Sequence, residues 1–420
     1  MLRYFHQEIR SFFVFYNKLV MGNQFNAILF DDIHRNHLLP LTFTRPVSEL
    51  RIGITTLKEK WESLLNGRCS YATVDYLAGK YPIKIQDDNL YINAAVIPDE
   101  NVVKQIVDLT RDGLLMHQDR IVAFRSAVQV DLSVQGFESK FNTTAYRGEL
   151  IVIRHTWDLF VLNDRILQDD FRRITRQRKS DRLSNTNSVL GADQVFAEEG
   201  VKCEYAIINA TTGPVYLGRN TEIMEGSVIR GPFALCDHAT LKLGTKIYGA
   251  TTIGPWCKVG GEVHNSVFIG YSSKSHDGYL GDSVIGEWCN LGAGTNNSNL
   301  KNNYAIVRLW NYPDEHFIDT GLQFCGLIMG DHSKCAINTM FNTGTVVGVS
   351  ANIYGSGFPR NFIPSFTWGG PGRSITYQPD KVFETARVAM ARRGISLTDE
   401  DKTILLKVFD LTEKFRKKQK

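Results

Sequence analysis

Residues 217–260 read LGRNTEIMEGSVIRGPFALCDHATLKLGTKIYGATTIGPWCKVG. Every sixth position from Leu217 is aliphatic: Leu217, Ile223, Ile229, Leu235, Leu241, Ile247, Ile253 and Val259. If Leu, Ile and Val make up roughly a fifth of an average chain, chance produces such a run on the order of once in several hundred thousand starts. A period of six belongs neither to an α-helix nor to an ordinary strand. It is the hexapeptide repeat of a parallel β-helix. Each unit forms one face of a triangular coil, with the aliphatic side chain pointing inward and small residues at the corner. Stacked coils bury a continuous apolar column that no single coil could bury alone.

Outward from this stretch, the register resumes at Ile285 and Leu291, then at Met329, Cys335, Phe341, Val347 and Ile353. Glycine often follows the aliphatic position, as in Leu217-Gly218, Ile253-Gly254 and Val347-Gly348. Two interruptions, Glu262–Asp282 and Thr295–Leu327, are expected to be excursions from the coil, the kind of segment in which function tends to sit. A Gly/Pro/aromatic cap, GSGFPRNFIPSFTWGGPGR at 355–373, should end the repeats. Two helices are expected over 379–413, the second started by Ser396-Leu-Thr-Asp399. The closing KFRKKQK reads as a solvated tail.

Toward the N-terminus the pattern is mixed α/β. Phe25–Phe30, Leu90–Val96, Ile121–Val128 and Glu149–Arg154 are expected strands, with helices over Ile54–Leu65 and around Trp157–Ile174. The polar, basic stretch Arg172–Asn187 is expected to mark a domain boundary. The domain reading is therefore an extension at 1–21, an α/β domain at 22–180, a β-helix at 190–370 and a helical tail at 379–420. Residues 1–21 read as an amphipathic helix or an upstream extension, because the apolar core Phe12–Tyr16 is too short for a signal sequence. Met21-Gly22-Asn23 would be a myristoylation start only if Met21 began the chain.

The 420 residues are 43% hydrophobic and 22% charged, which excludes whole-chain disorder. A net charge of +4 is too mild to argue for nucleic acid. The seven cysteines form no CxxC pair, which suits a reducing compartment. No apolar run is long enough to span a bilayer, so neither a membrane nor a nucleic-acid partner is expected and the location should be cytoplasmic.

Tyr279-Leu-Gly-Asp282, Cys289-Asn-Leu-Gly-Ala-Gly-Thr295 and Ser298-Asn299 carry a more specific signal. Over about residues 200–355 the chain resembles the acetyltransferase half of the bifunctional glucosamine-1-phosphate acetyltransferase/N-acetylglucosamine-1-phosphate uridyltransferase family. The resemblance implies a left-handed coil, a homotrimer, and transfer of an acetyl group from acetyl-CoA to an amino-sugar phosphate. It implies that His276, three residues before Tyr279, is the general base, a role suited to an imidazole. It also implies that Tyr279, Asn290 and Asn299 contact the sugar phosphate, and that Ala293, Gly294 and Thr295 meet the acetyl-CoA. Gly270-Tyr271 stands where the family has a phosphate-binding lysine, and Lys274 is the candidate substitute. No arginine follows Gly231-Pro-Phe-Ala234 as it does in the family, and Leu300 replaces a tyrosine.

The N-terminal part resembles sugar nucleotidyltransferases through Leu39-Pro-Leu-Thr42, Arg45-Pro46 and Leu50-Arg-Ile-Gly53. The whole chain is similar to a divergent bacterial branch in which such a domain is fused to the acetyltransferase. The resemblance implies a nucleoside triphosphate held by Arg35, Arg45 and Arg51, with Mg²⁺ bound by Asp31 or Asp32. However, Leu29-Phe-Asp-Asp32 stands in place of a glycine-rich loop, Val47 in place of a lysine, and Asn93 in place of a metal-binding aspartate. A degenerate N-terminal domain and a non-catalytic β-helix scaffold are the alternatives. His238, His264, His276 and His332 lack the close pair that a zinc site in such a helix needs.

Overall fold

The computed structural model describes residues 25–132, 134 and 136–417. The expectations for residues 1–21 and for Met21-Gly22-Asn23 fall outside them. The described chain divides into two compact units. The first comprises the chain up to Arg35, Arg45–Glu49 and Thr56–Arg154; the second comprises Asn36–Thr44, Leu50–Thr55 and His155–Lys420.

In the first unit a six-stranded sheet runs in the order Cys69–Ala72, Asn26–Phe30, Asn89–Asn93, Arg120–Ser126, Gly113–His117, Asn142–Ala145. Asn26–Phe30 pairs parallel with both of its neighbours, and Asn89–Asn93 pairs antiparallel with Arg120–Ser126. Ile28, Phe30, Tyr91, Leu114 and Phe124 form its core. The helix Leu57–Leu65 starts at Thr56 with a reciprocal capping box to Glu59, as its Thr-x-x-Glu spacing allows. Residues 149–154 do not form the expected strand; only Val152 makes an isolated bridge, to Val96. Asn142–Ala145 was not expected as a strand. It lies at the sheet edge with an exposed, largely polar sequence, so no apolar alternation announced it.

The second unit is the parallel β-helix. Its faces are sheets of nine, ten and six parallel-stacked strands, the ten-stranded one closing with an antiparallel pair. The six-residue register is the interior column: Leu217, Ile229, Leu235, Leu241, Ile253, Val259, Ile285 and Phe341 are all buried in one cluster. The first expected excursion is not one. Glu262–His264, Val267–Gly270, Ser273–Lys274 and Tyr279–Gly281 are coil strands, and only the pitch changes. Leu235 pairs with Ile253, eighteen residues on, but Ile253 pairs with Phe268, fifteen on, and Phe268 with Ile285, seventeen on. The shortened turns break a strict six-residue count without breaking the stack. The second excursion is real: Leu291 pairs with Cys335, and the hairpin Arg308–Asn311/His316–Asp319 lies between them.

The helices Pro379–Ala391 and Asp399–Leu411 follow the repeats, the second capped by Thr398 and Asp401. The helix Asn163–Thr175 belongs to this unit, so the compact division falls at residue 154 rather than in the basic stretch beyond 172. The tail is only partly solvated. Phe415 and Arg416 are buried, and Arg416 bonds Thr412 Oγ1 at 2.8 Å and the Phe409 carbonyl at 2.7 Å. All seven cysteines are buried and unpaired. Among the described residues no helix is long and apolar enough to cross a membrane.

Candidate active site

Three consecutive strands of the smallest β-helix face, Lys246–Tyr248, Glu262–His264 and Tyr279–Gly281, stand in register. Ile247, Val263 and Leu280 point inward and are buried. Strand alternation therefore turns Tyr248, Glu262, His264 and Tyr279 outward together. The corners after the last two strands hold Asn265 and Asp282, both in the left-handed region, with φ of 43° and 48°.

Asp282 is the centre of a polar network. One carboxylate oxygen accepts from Asn265 Nδ2 at 2.7 Å and the other from Asn299 Nδ2 at 2.6 Å. Asn299 Nδ2 also reaches the Tyr279 hydroxyl at 3.0 Å. His264 Nδ1 lies 3.7 Å from Asp282 Oδ2. The Tyr248 hydroxyl donates to Glu262 at 2.6 Å, and its ring centre is 4.8 Å from that of His264. Burial, and then the charge of Asp282, pushes the Tyr279 phenol up to about 12. Burial and the bond to Glu262 push Tyr248 up as well. Both phenols therefore remain neutral hydrogen-bonding groups at physiological pH.

His264, Asn265 and Asp282 form the polar side of a cleft of about 720 Å³, and Phe160, Leu322 and Phe324 are among its apolar lining. The apolar wall comes from the chain before helix Asn163–Thr175 and from the second excursion. Gly249 makes room for the imidazole: it has φ +67°, and a Cβ there would lie 2.9 Å from His264 Nε2.

The expected residues distribute unevenly around this cleft. Tyr279 and Asn299 join the Asp282 network. His276 is exposed at a coil corner and is not among the residues lining the cleft. Asn290 is exposed on the ten-stranded face, paired with Ser273 and Lys334, and so does not sit with Tyr279. Ala293 and Gly294 form the next corner, where the Ala293 carbonyl accepts from Asn338 N at 2.7 Å. Thr295 is buried, and its hydroxyl turns back to the Gly292 carbonyl at 2.7 Å.

Lys274 corrects the expectation that it substitutes as a phosphate ligand. It pairs with Val259 in the interior column and is 1% exposed. Its ammonium donates to the carbonyls of Gly260 (3.0 Å), His276 (3.0 Å) and Gly278 (2.7 Å). Desolvation lowers its pKa to about 8. The three donors of the ammonium are thus matched by backbone carbonyls, which is why a lysine is accommodated in an apolar column.

The first unit also departs from expectation. Asp31 is buried: it is 3.2 Å from Arg35 Nε, accepts from Thr73 Oγ1 at 2.6 Å, and accepts from Val47 N at 2.9 Å. Burial pushes its carboxyl up against the pull of Arg35. Asp32 accepts from His34 N and Asn93 Nδ2 and is ion-paired with Arg120. The two carboxylates are thus occupied by arginines, amides and backbone N–H groups. They do not fit a divalent cation, which needs free carboxylate oxygens. Among the described residues no cluster of metal-ligating side chains occurs. Arg35, Arg45 and Arg51 are buried, 5%, 3% and 7% exposed, and so do not present a cradle for a triphosphate. In the second unit, Arg51 donates to the carbonyls of Ile269 and Ile54.

Sequence reasoning missed His264, Asp282, Asn265 and Glu262 as site residues. The alternation in Glu262-Val-His264 could have placed Glu262 and His264 on one outward face. The contact of His264 with Asp282 spans a coil turn and has no local signature.

Residues 27–179 match the sugar nucleotidyl transferase family. No curated protein sequence matches the chain. Among solved structures, the chain is similar to the N-acyltransferase AntD of Bacillus cereus, solved as a mutant in complex with dTDP and coenzyme A. The identity is 11% over 54% of this chain and 97% of that one, with a TM-score of 0.21. It is also similar to the UDP-N-acetylglucosamine acyltransferases of Campylobacter jejuni and Arabidopsis. The first is 12% identical over 53% of this chain and 94% of that one, TM-score 0.19. The second is 15% identical over 53% of this chain and 88% of that one, TM-score 0.19.

Proposed function

We propose that the β-helix unit is an acyltransferase that moves an acetyl group from acetyl-CoA to the amine of an amino-sugar 1-phosphate, glucosamine 1-phosphate first. The observation that carries this reading is the cleft. An imidazole, a buried carboxylate and two carboxamides converge there beside an apolar wall, the set needed to hold and orient a hydroxylated acceptor. The motif Tyr279–Asp282, with Asn299 beside it in the fold, supports the acceptor class, and so does the sugar nucleotidyl transferase match over residues 27–179. In the reaction the amine nitrogen bonds to the thioester carbon, the carbon–sulfur bond breaks, and the nitrogen's proton ends on the departing CoA sulfur by way of an imidazole. The motif nominates His276 for that imidazole. The backbone N–H of Ala293 is the proposed donor to the thioester oxygen, since the Gly294 and Thr295 N–H groups already donate to the Asp277 and Gly292 carbonyls. A cytoplasmic homotrimer, with acyl-CoA lying between neighbouring coils, is part of the same proposal.

Nucleotidyl transfer by the first unit is the weaker reading, because Asp31 and Asp32 are already neutralised by Arg35 and Arg120. The test is one assay with glucosamine 1-phosphate, acetyl-CoA, UTP and Mg²⁺, in which CoA and pyrophosphate are measured separately. CoA release without pyrophosphate is expected. Pyrophosphate without CoA would reverse the ranking of the two units. Release of neither across a panel of amino-sugar phosphates would leave the β-helix as a scaffold.

A further inference from the structure

We propose that the C-terminal helix Glu413–Lys417 is a clasp that fixes the apolar wall of the cleft, with Phe415 as a positioning residue for the acceptor; its effect on acceptor binding rests on the acyl-transfer reading above. The wall residues Ile306, Leu322 and Phe324 flank the base of the hairpin Arg308–Asn311/His316–Asp319. The hairpin's hydrogen bonds run on into them. Val307 N donates to the Leu322 carbonyl at 2.8 Å, and Thr320 N donates to the Val307 carbonyl at 3.0 Å. Beyond the wall, Cys325 N donates at 2.9 Å to the carbonyl of Asn299, the residue whose amide holds Asp282. A shift of the hairpin therefore moves the apolar side of the cleft against its polar side.

The far end of the hairpin is gripped from outside. Phe415 is 4% exposed, and its ring centre lies 5.3 Å from that of Tyr312, 5.8 Å from Phe362 and 6.0 Å from Trp310, each pair close to edge-on. Trp310 is in the hairpin, Tyr312 begins its turn, and Phe362 is in the coil strand Phe362–Ile363. Trp310 also stacks on Phe362 at 4.1 Å. Phe415 is thus a wedge between the hairpin and a late coil. Edge-to-face aromatic contacts are directional, so they fix an orientation as well as burying area. Two charged residues flank the wedge. Lys414 is ion-paired with Glu315 in the hairpin turn, and Arg416 donates to the Ser365 carbonyl of the coil at 3.3 Å. Phe43 against Tyr312 and His37 beside Asn311 are further supports of the hairpin within the same unit. The helix contributes no residue to the cleft lining, so it acts only through the hairpin.

The full chain is assayed by CoA thiol release from acetyl-CoA with glucosamine 1-phosphate. Phe415→Ala is expected to raise the acceptor KM about tenfold, with kcat and the acetyl-CoA KM within about threefold, because acceptor binding and not chemistry is disturbed. Phe415→Leu, which refills most of the space, should recover most of the loss. Leu217→Ala is the comparison. It opens a cavity in the interior column, far along the coil from the clasp, and should lower stability without moving the acceptor KM. An equal rise in Leu217→Ala would make Phe415 a general stabiliser and overturn the proposal. A second measurement needs no substrate: amide hydrogen exchange followed peptide by peptide. Phe415→Ala should speed exchange over residues 306–322 about tenfold, while the coil strands Val284–Glu287 and Leu327–Met329 keep wild-type rates. Wild-type rates over 306–322, or faster exchange throughout the coil, overturn the clasp. Faster exchange over 306–322 with an unmoved acceptor KM overturns the positioning role and leaves acyl transfer standing. A wild-type chain inert with amino-sugar phosphates overturns the acyl-transfer reading and the acceptor role with it, and the exchange pattern then decides the clasp by itself.

Discussion

Lys274 shows how far a single residue can depart from the reading its neighbours invite. It sits in the motif-bearing segment, where a cation would be expected to meet a phosphate. The shortened coil instead places it opposite Val259, inside the column. Its folded pKa of about 8 lies below the ordinary 10.5, so between these values the unfolded chain binds more protons than the folded one. Stability should therefore rise with pH across that window. The penalty is fully present below pH 8 and is gone above the unfolded pKa. A shift of this size corresponds to on the order of 3 kcal/mol. Urea unfolding at pH 7.5 and 9.5 should show the wild type gaining stability relative to Lys274→Met, which has no ammonium to titrate. Equal pH slopes in the two proteins would mean that the ammonium is better solvated than its position implies. Asp31 and Arg35 make the same point in the other unit: charged residues placed where chemistry was expected are engaged with each other.

At the scale of an element, the coil is repeated six-residue units that differ mainly in how the corner is turned. The third residue after the inward position occupies the left-handed region at Asn220, His238, Trp256, Tyr271, Trp288, His332, Ser350 and Phe366. For a residue with a side chain this conformation costs roughly 1–2 kcal/mol. Stacking between successive corners offsets it: His238 lies 4.3 Å from Trp256, and Tyr271 lies 4.4 Å from Trp288, ring centre to ring centre. The interior column is the dominant stabilising feature. Phe233 is fully buried in it. Phe233→Ala should cost about 3–5 kcal/mol, measured as a lowered denaturant midpoint with an unchanged slope. A loss below about 1 kcal/mol would mean that the neighbouring coils collapse into the space.

The second unit is assembled from segments far apart in sequence. Helix Asn163–Thr175 is joined to Leu50–Thr55 by buried polar bonds. Asp170 accepts from Ile54 N at 2.8 Å and Thr55 N at 3.3 Å, and Asn163 accepts from Gly53 N at 2.7 Å. Gly53 has φ +65°, and a Cβ there would lie 2.5 Å from Asp170 Oδ2, so the segment and the helix fit only with glycine at that point. Asp170→Ala leaves buried N–H groups without acceptors and should cost about 2–4 kcal/mol. Thermal unfolding of the full chain reads this out, and an unchanged midpoint would show that the segment does not stabilise its unit.

The β-helix, its inward residues, the cap and the terminal helices were legible because each rests on local spacing. A period of six, a Gly/Pro cluster or a capping threonine acts within a few residues of itself. Tyr279 and Asn299, which their motif singled out, join one hydrogen-bond network with Asp282. Tertiary structure alone decided the rest. The pitch change at Ile253–Phe268 put Lys274 inside and left His276 on an exposed corner. Coil stacking brought His264 beside Asp282, eighteen residues later, and the burial of Asp31, Arg35, Arg45 and Arg51 withdrew the expected nucleotide ligands. The physical reason is the same throughout. Periodicity determines which way a side chain points relative to its own backbone, whereas what it then meets depends on the register of the next coil or of a segment a hundred residues away.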